Sequence, residues 1–272
     1  MAKQIRTVNI RPGVSVLSVL RHLNYRAWFA LAEFVDNSVQ SYLSSKTQLE
    51  AVEGSEFKLK VSIDIDAAAP ARIVIRDNAG GIAQQDFPRA FRPAAIPPNR
   101  TGLSEFGMGM KSAACWFSSK WMVRTKALGD DKARLVKFDV SRIVTDQIEE
   151  LEIEESTEGK EAHYTEVVLE DLHHVPVKKT VSKIKEHLTD IYRVFIRNGV
   201  LELRFNGELL VVEEPSILVA QYVRDTDGES KRWRKEINFD FGDGLKVRGF
   251  AALRVCPGSC CFLTELSEHE AD

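Results

Sequence analysis

Two short stretches, FKLKVSIDID at 57–66 and ARIVIRD at 71–77, alternate apolar and polar residues at period two and are separated only by the turn-like AAAP. Alternation at that period puts every second side chain on one face, so each stretch reads as a half-buried strand, and the pair demands something apolar to pack against. Helical patterning from Ser15 to about Ser45, broken near Asn24, supplies a candidate. QDFPRAF (85–91) reads as a short helix, RPAAIPPNRTGLSEFG (92–107) as a loop too long for a simple connector, and GMGMKSAACWFSS (107–119) as a helix opened by a glycine pair. KWMVRTKA, ARLVKFDVSRI and HYTEVVLEDL then read as strands, closing a first domain near 173. The expected class is α+β.

A second part, 174–272, opens with the amphipathic pattern VSKIKEHLTDIYRVFI. VLELRFNGELLVV follows as a strand, an Asn-Gly turn and a strand, the strongest short-range hairpin signal. A further hairpin is expected around Asp243 and Gly244, whereas CPGSCCFLTELSEHEAD has neither a strand nor a helix period. The net charge of −3 over 272 residues gives no general electrostatic case for nucleic acid. The acidic run at 149–161 reads as a solvated loop or strand edge, and the basic KRWRK at 231–235 as an exposed strand end too short to establish DNA binding. No signal peptide and no apolar run near eighteen residues is present, so a cytoplasmic chain without a membrane span is expected. Cys115 stands alone, and Cys256, Cys260 and Cys261 with His269 do not match zinc spacing; reduced thiols are the default.

Three polar stretches remain. In FVDNSVQS (34–41) and the residue before it, a helix advancing about 100° per residue gathers Glu33, Asp36, Asn37 and Gln40 in one sector, with Leu31, Val35, Val39 and Tyr42 opposite. This is either a solvent-facing stripe or a ligand-facing set of carboxylates and amides. IRDNAGG (75–81) is either an Asn/Gly turn or a strand-end carboxylate, Asp77, beside glycines that let a flat ligand approach the backbone; a carboxylate accepts from donors such as an exocyclic amine. TGLSEFGMGMKSA (101–113) leads a glycine loop into a helix, whose first amides are unpaired donors that favour an anion; it lacks the Walker A spacing.

Taken in this order, the three stretches resemble the nucleotide-binding motifs of the GHKL superfamily: gyrase B subunits, the large heat-shock chaperone, histidine kinases, MutL and the MORC ATPases. ExxDN at Glu33–Asn37 is similar to the family's helix motif, DNAGG at Asp77–Gly81 to its adenine motif, and GxxxFGxGxKS at Gly102–Ser112 to its lid and phosphate motif. The resemblance covers most of 15–173 and implies a Bergerat two-layer α/β sandwich followed by a partial transducer-like domain.

It implies further that Glu33 is the general base and that Asn37 gives an oxygen to Mg²⁺. Asp77 would accept from the adenine amine, Gly81 would leave room for the base, and Thr165 would join the adenine-side network. Gly102, Phe106, Gly107, Met108, Gly109, Met110, Lys111 and Ser112 would form the phosphate loop, with Gly107, Gly109 and Lys111 cradling the phosphates. Asp36 counts among the binding residues, either touching ligand or orienting its neighbours. ATP and Mg²⁺ are the implied ligands, and ATP-dependent homodimerisation on closure of a loop from about 92 to 106 is the implied response. The FGMGMKS ending is most similar to the MORC-type branch, with gyrase- and MutL-like arrangements next. With 32 residues before Glu33 there is no room for a histidine kinase phosphoacceptor helix, and His22 reads as a surface or packing residue. The expected function is an ATP-gated switch or clamp in DNA-related or defence processes. The alternatives are a nucleotide-responsive binding module without hydrolysis and a chaperone-like ATPase. A second part too short to hold the transducer lysine, for which Lys246 is a poor candidate, is expected to be a truncated or fragmentary transducer.

Overall fold

The half-buried alternation of the two early strands appears directly in the computed structural model, which describes residues 13–93, 107–213, 216–222, 224, 228–242, 245–256 and 259–269. Helix α1 (Val16–Leu20) leads to α2 (Ala27–Glu53), then strands β1 (Leu59–Asp66) and β2 (Arg72–Asp77). A single 3₁₀ turn at Gln84–Asp86 runs into α3 (Phe87–Phe91), and α4 (Gly109–Phe117) is followed by β3 (Ser118–Lys126) and β4 (Lys132–Asp139). Helix α5 (Val140–Thr145), β5 (Ile153–Thr157) and β6 (Tyr164–Leu172) come next, then α6 (Lys178–Ile191), α7 (Arg193–Arg197), β7 (Leu201–Phe205) and β8 (Glu208–Leu209).

Among the described residues these strands form one eight-stranded sheet in the order β5-β4-β3-β6-β2-β1-β7-β8. All neighbours are antiparallel except β1 and β7, which are parallel, so the sheet is mixed. One face carries the apolar row Ile63, Ile75, Val167 and Val123, aligned strand to strand, and is covered by α2, α4 and α6. One step of two residues further along, the same face carries Val61, Asp77, Thr165 and Thr125. The row that continues the core has there turned polar. Helix α2 buries Leu31, Val35, Val39 and Tyr42 and leaves Glu33, Asp36, Asn37 and Gln40 half-buried, as the sector count expects. No helix among the described residues is long and apolar enough to cross a membrane.

Two compact units divide between Val212 and Glu213. The break expected at 173 is thus crossed by α6, α7 and the Asn206-Gly207 hairpin. They complete the first unit because β7 pairs with β1, and both hairpin residues hold the left-handed backbone their turn requires. The expected strand through 133–143 stops at Asp139, whose carboxylate accepts from the Arg142 amide (3.1 Å) and caps α5. The acidic run forms β5, exposed throughout at the edge of the sheet.

The second unit contains β9 (Val219–Ala220) paired with β10 (Lys231–Arg232), and a three-stranded antiparallel sheet of β11 (Arg234–Asp240), β12 (Lys246–Cys256) and β13 (Ser259–His269). KRWRK therefore spans β10 and the start of β11. The last stretch, without a legible period, is a strand held by pairing with β12 from Lys246–His269 to Cys256–Ser259.

Candidate functional site

A cavity of about 330 Å³ opens between α2, the polar end of the sheet and the start of α4, and Asn37, Asp77, Gly81, Gly107, Gly109, Met110, Lys111 and Thr165 all line it. At its inner end Asp77 is buried. One carboxylate oxygen accepts from the Ser38 hydroxyl (2.7 Å), the other from the amides of Ala79 (2.9 Å) and Thr165 (3.3 Å). Burial pushes the Asp77 carboxyl above the usual aspartate range, while Ser38, the two amides and His163 oppose that shift. Thr165 lies 3.3 Å from Thr125, hydroxyl to hydroxyl, and Thr125 accepts from the Ile82 amide. The wall offers hydroxyls and a carboxylate oriented by fixed donors, which suits a flat ligand with an amine edge.

Gly81, which lines the cavity, also makes a close backbone contact. Gly81 has φ +69°, and a Cβ there would stand 2.1 Å from the Lys126 carbonyl oxygen. What the missing side chain admits is the β3 backbone. Lys126 is itself fully buried, its ammonium donating to the carbonyls of Asp130, Ala162 (3.2 Å) and Ala127 (3.4 Å). His163 braces the same loop, with its ring nitrogens 3.0 Å from the Ala79 carbonyl and 3.2 Å from Glu53.

At the other end of the cavity Gly107 holds a left-handed backbone (φ +61°) and α4 begins two residues later, so the loop turns sharply into a helix start. Met110 and Met108 pack against the core, and the Met108 carbonyl accepts from the Ser112 amide. Ser112 is buried, and its hydroxyl opposes the upward shift that burial and Glu33 impose on the Tyr25 phenol. Lys111 lines the cavity but its ammonium donates to the carbonyls of Ala90 (2.7 Å) and Arg89 (3.4 Å) at the end of α3. Burial first, and then the nearby Arg89, brings its pKa down to about 8. Lys111 therefore ties α3 to the glycine loop. Gly102 and Phe106, and the expected moving loop from 94 on, lie outside the described residues.

Glu33 and Asp36 face different neighbours. The Glu33 carboxylate sits against the first residue of α4, where a Cβ on Gly109 would stand 2.0 Å from its oxygen. Burial and Asp36 push the Glu33 carboxyl up, while a hydrogen bond from the Tyr25 hydroxyl opposes them. Asp36 is turned to the end of α6, accepting from the Tyr192 hydroxyl at 2.6 Å. The Tyr192 ring is buried, so this bond fixes the Asp36 carboxylate against α6. Asn37 lines the cavity one residue further on.

The family described as histidine kinase-, DNA gyrase B-, and HSP90-like ATPase matches residues 25–172. The chain belongs to this ATPase family. No curated protein matches the chain. The matched span holds all three motifs and the whole cavity, so the cavity is that of an ATP-binding domain. Several residues of this ATPase domain escaped the sequence reading. Ser38 stands next to Asn37 inside the quoted motif, and its spacing of one turn from Phe34 and Ser41 was the available signal. Thr125 could be found only through strand register, and Tyr25, Tyr192 and His163 only through contacts between distant segments.

Proposed function

We propose that the chain binds ATP with Mg²⁺ and hydrolyses it, with Glu33 polarising the attacking water. The observation that carries this reading is the convergence of Asn37, Asp77, Gly107, Gly109 and Thr165 on one cavity, with Glu33 at its α4 end. Asp77 accepts from the amine edge of adenine, and the glycine loop with the first amides of α4 receives the phosphates. The residues fit Mg²⁺: this hard cation keeps several waters and takes oxygens from phosphate, so Asn37 in the wall is a sufficient protein ligand. When bound, the ion neutralises charge on the phosphates. Nucleotide binding then favours closure and a homodimer, the state that would act as a switch.

Titration of ATP with and without Mg²⁺ against the chain and Asp77→Asn tests the binding half; equal affinity in the two proteins would remove adenine from Asp77. Turnover in Glu33→Ala tests the chemistry, with an expected loss of about 10²–10⁴ and binding retained. A second reading, a nucleotide-responsive binding module without hydrolysis, is favoured by the seating of Glu33 on the α4 backbone. Tight ATP binding and ATP-dependent dimerisation with turnover at background would select it.

A further inference from the structure

Lys111 is the cation that the motif offers to phosphate, yet its ammonium is already committed to two backbone carbonyls at the end of α3. Those carbonyls belong to a helix terminus and have no partner inside the helix, so the bond is one the fold needs. A second cation lines the same cavity. Arg89, on α3, is among its lining residues, with its side chain 44% exposed and its guanidinium paired with Asp86 at 3.3 Å, an exposed contact that is worth little. Arg89 and Lys111 both line the cavity, and the charge of Arg89 helps lower the lysine pKa, so two positive groups serve one cavity. Like charges held together cost energy until an anion enters between them.

We propose that Arg89 is a nucleotide-binding residue, the movable guanidinium that leaves Asp86 to pair with the outer phosphates of the bound nucleotide, while Lys111 serves as a fixed neighbouring charge. The planar fork of a guanidinium matches phosphate oxygens two at a time, which an ammonium cannot do. This rests on the ATP reading above, but the phosphate contact and the adenine contact are separable.

The test is calorimetric titration of the full chain, Arg89→Gln, Arg89→Lys and Asp77→Asn with ATP, adenosine and inorganic tripolyphosphate. Arg89→Gln is expected to weaken ATP and tripolyphosphate about tenfold and to leave adenosine within about twofold, with Arg89→Lys intermediate. An unchanged unfolding midpoint in Arg89→Gln shows that the fold is intact. ATP and tripolyphosphate affinities unchanged in Arg89→Gln overturn the proposal, as does equal weakening of adenosine. If tripolyphosphate binding depends on Arg89 while Asp77→Asn binds ATP like the parent, the inference stands and the adenine reading fails. A parent that binds neither ATP nor tripolyphosphate overturns both.

Discussion

Replacement of Gly81 by alanine separates a backbone contact from a ligand contact. Two costs apply. An L-residue held at φ +69° loses about 1–2 kcal/mol, the general penalty for left-handed backbone. The new Cβ stands 2.1 Å from the Lys126 carbonyl oxygen, where ordinary contact begins at 3.4 Å, so more than an ångström must open between two segments of backbone. Overpacking of this kind costs about 1–3 kcal/mol. The sum, about 2–5 kcal/mol, corresponds to a fall of roughly 4–20 °C in Tm for a domain of this size. Gly129 is the internal control, because it has φ +78° with nothing within 4 Å of a built Cβ. Gly129→Ala should show the backbone term alone, about 1–2 kcal/mol. Thermal unfolding by circular dichroism without nucleotide measures both. If the two variants melt together, the Lys126 contact contributes nothing and Gly81 serves the ligand.

Asp77→Asn should raise stability relative to the parent as pH rises. The folded carboxyl titrates above its ordinary value, so its favourable contribution is complete below the ordinary range and is lost as pH passes through the raised pKa. Melting at pH 5 and pH 8 checks the sign: a Tm difference, variant minus parent, that falls towards pH 8 refutes it. Ser38→Ala removes a 2.7 Å donor to Asp77 and should weaken ATP by about 1–2 kcal/mol, read by titration, with adenosine weakened equally. Lys126→Met leaves buried carbonyls without their donor and should cost about 1–3 kcal/mol in urea unfolding. Burial pushes the Cys115 thiol up to about 12, so mass spectrometry after iodoacetamide treatment at pH 8 should find Cys115 unmodified in the folded chain and modified in urea.

What could be read beforehand were features whose signal is local. Period-two strands, the Asn206-Gly207 turn and the polar sector of α2 each specify themselves within a few residues, and the order of three motifs located the cavity. What failed depended on pairing at a distance. The β13 segment has no period because its strand form comes from β12, and 174–212 was expected in a second domain because the β1–β7 register and the α2–α6 contacts that tie it to the first unit lie far apart in sequence. Lys111 shows the same limit inside the site: its position was legible, while its attachment to α3 required the end of α3 to be in place. The polar row Asp77, Thr165 and Thr125 is a compromise between the two, each residue ordinary alone and informative only once strand order is known.

The parallel pairing of β1 with β7 also bears on how the chain acquires its structure. Ile65 donates to the Asn206 side chain across 141 positions, and Asn206 returns a bond to Ile63. Ribosomes add about 5–20 residues each second, so β1 emerges on the order of ten seconds before its partner does. Through that interval its outer edge is an uncovered template for strand pairing, and a fragment stopped at the family boundary, residue 172, would keep that edge permanently. The nascent domain is therefore most exposed to self-association just before its last two strands arrive, and a version of this ATPase that keeps the β1 edge covered must run through β7.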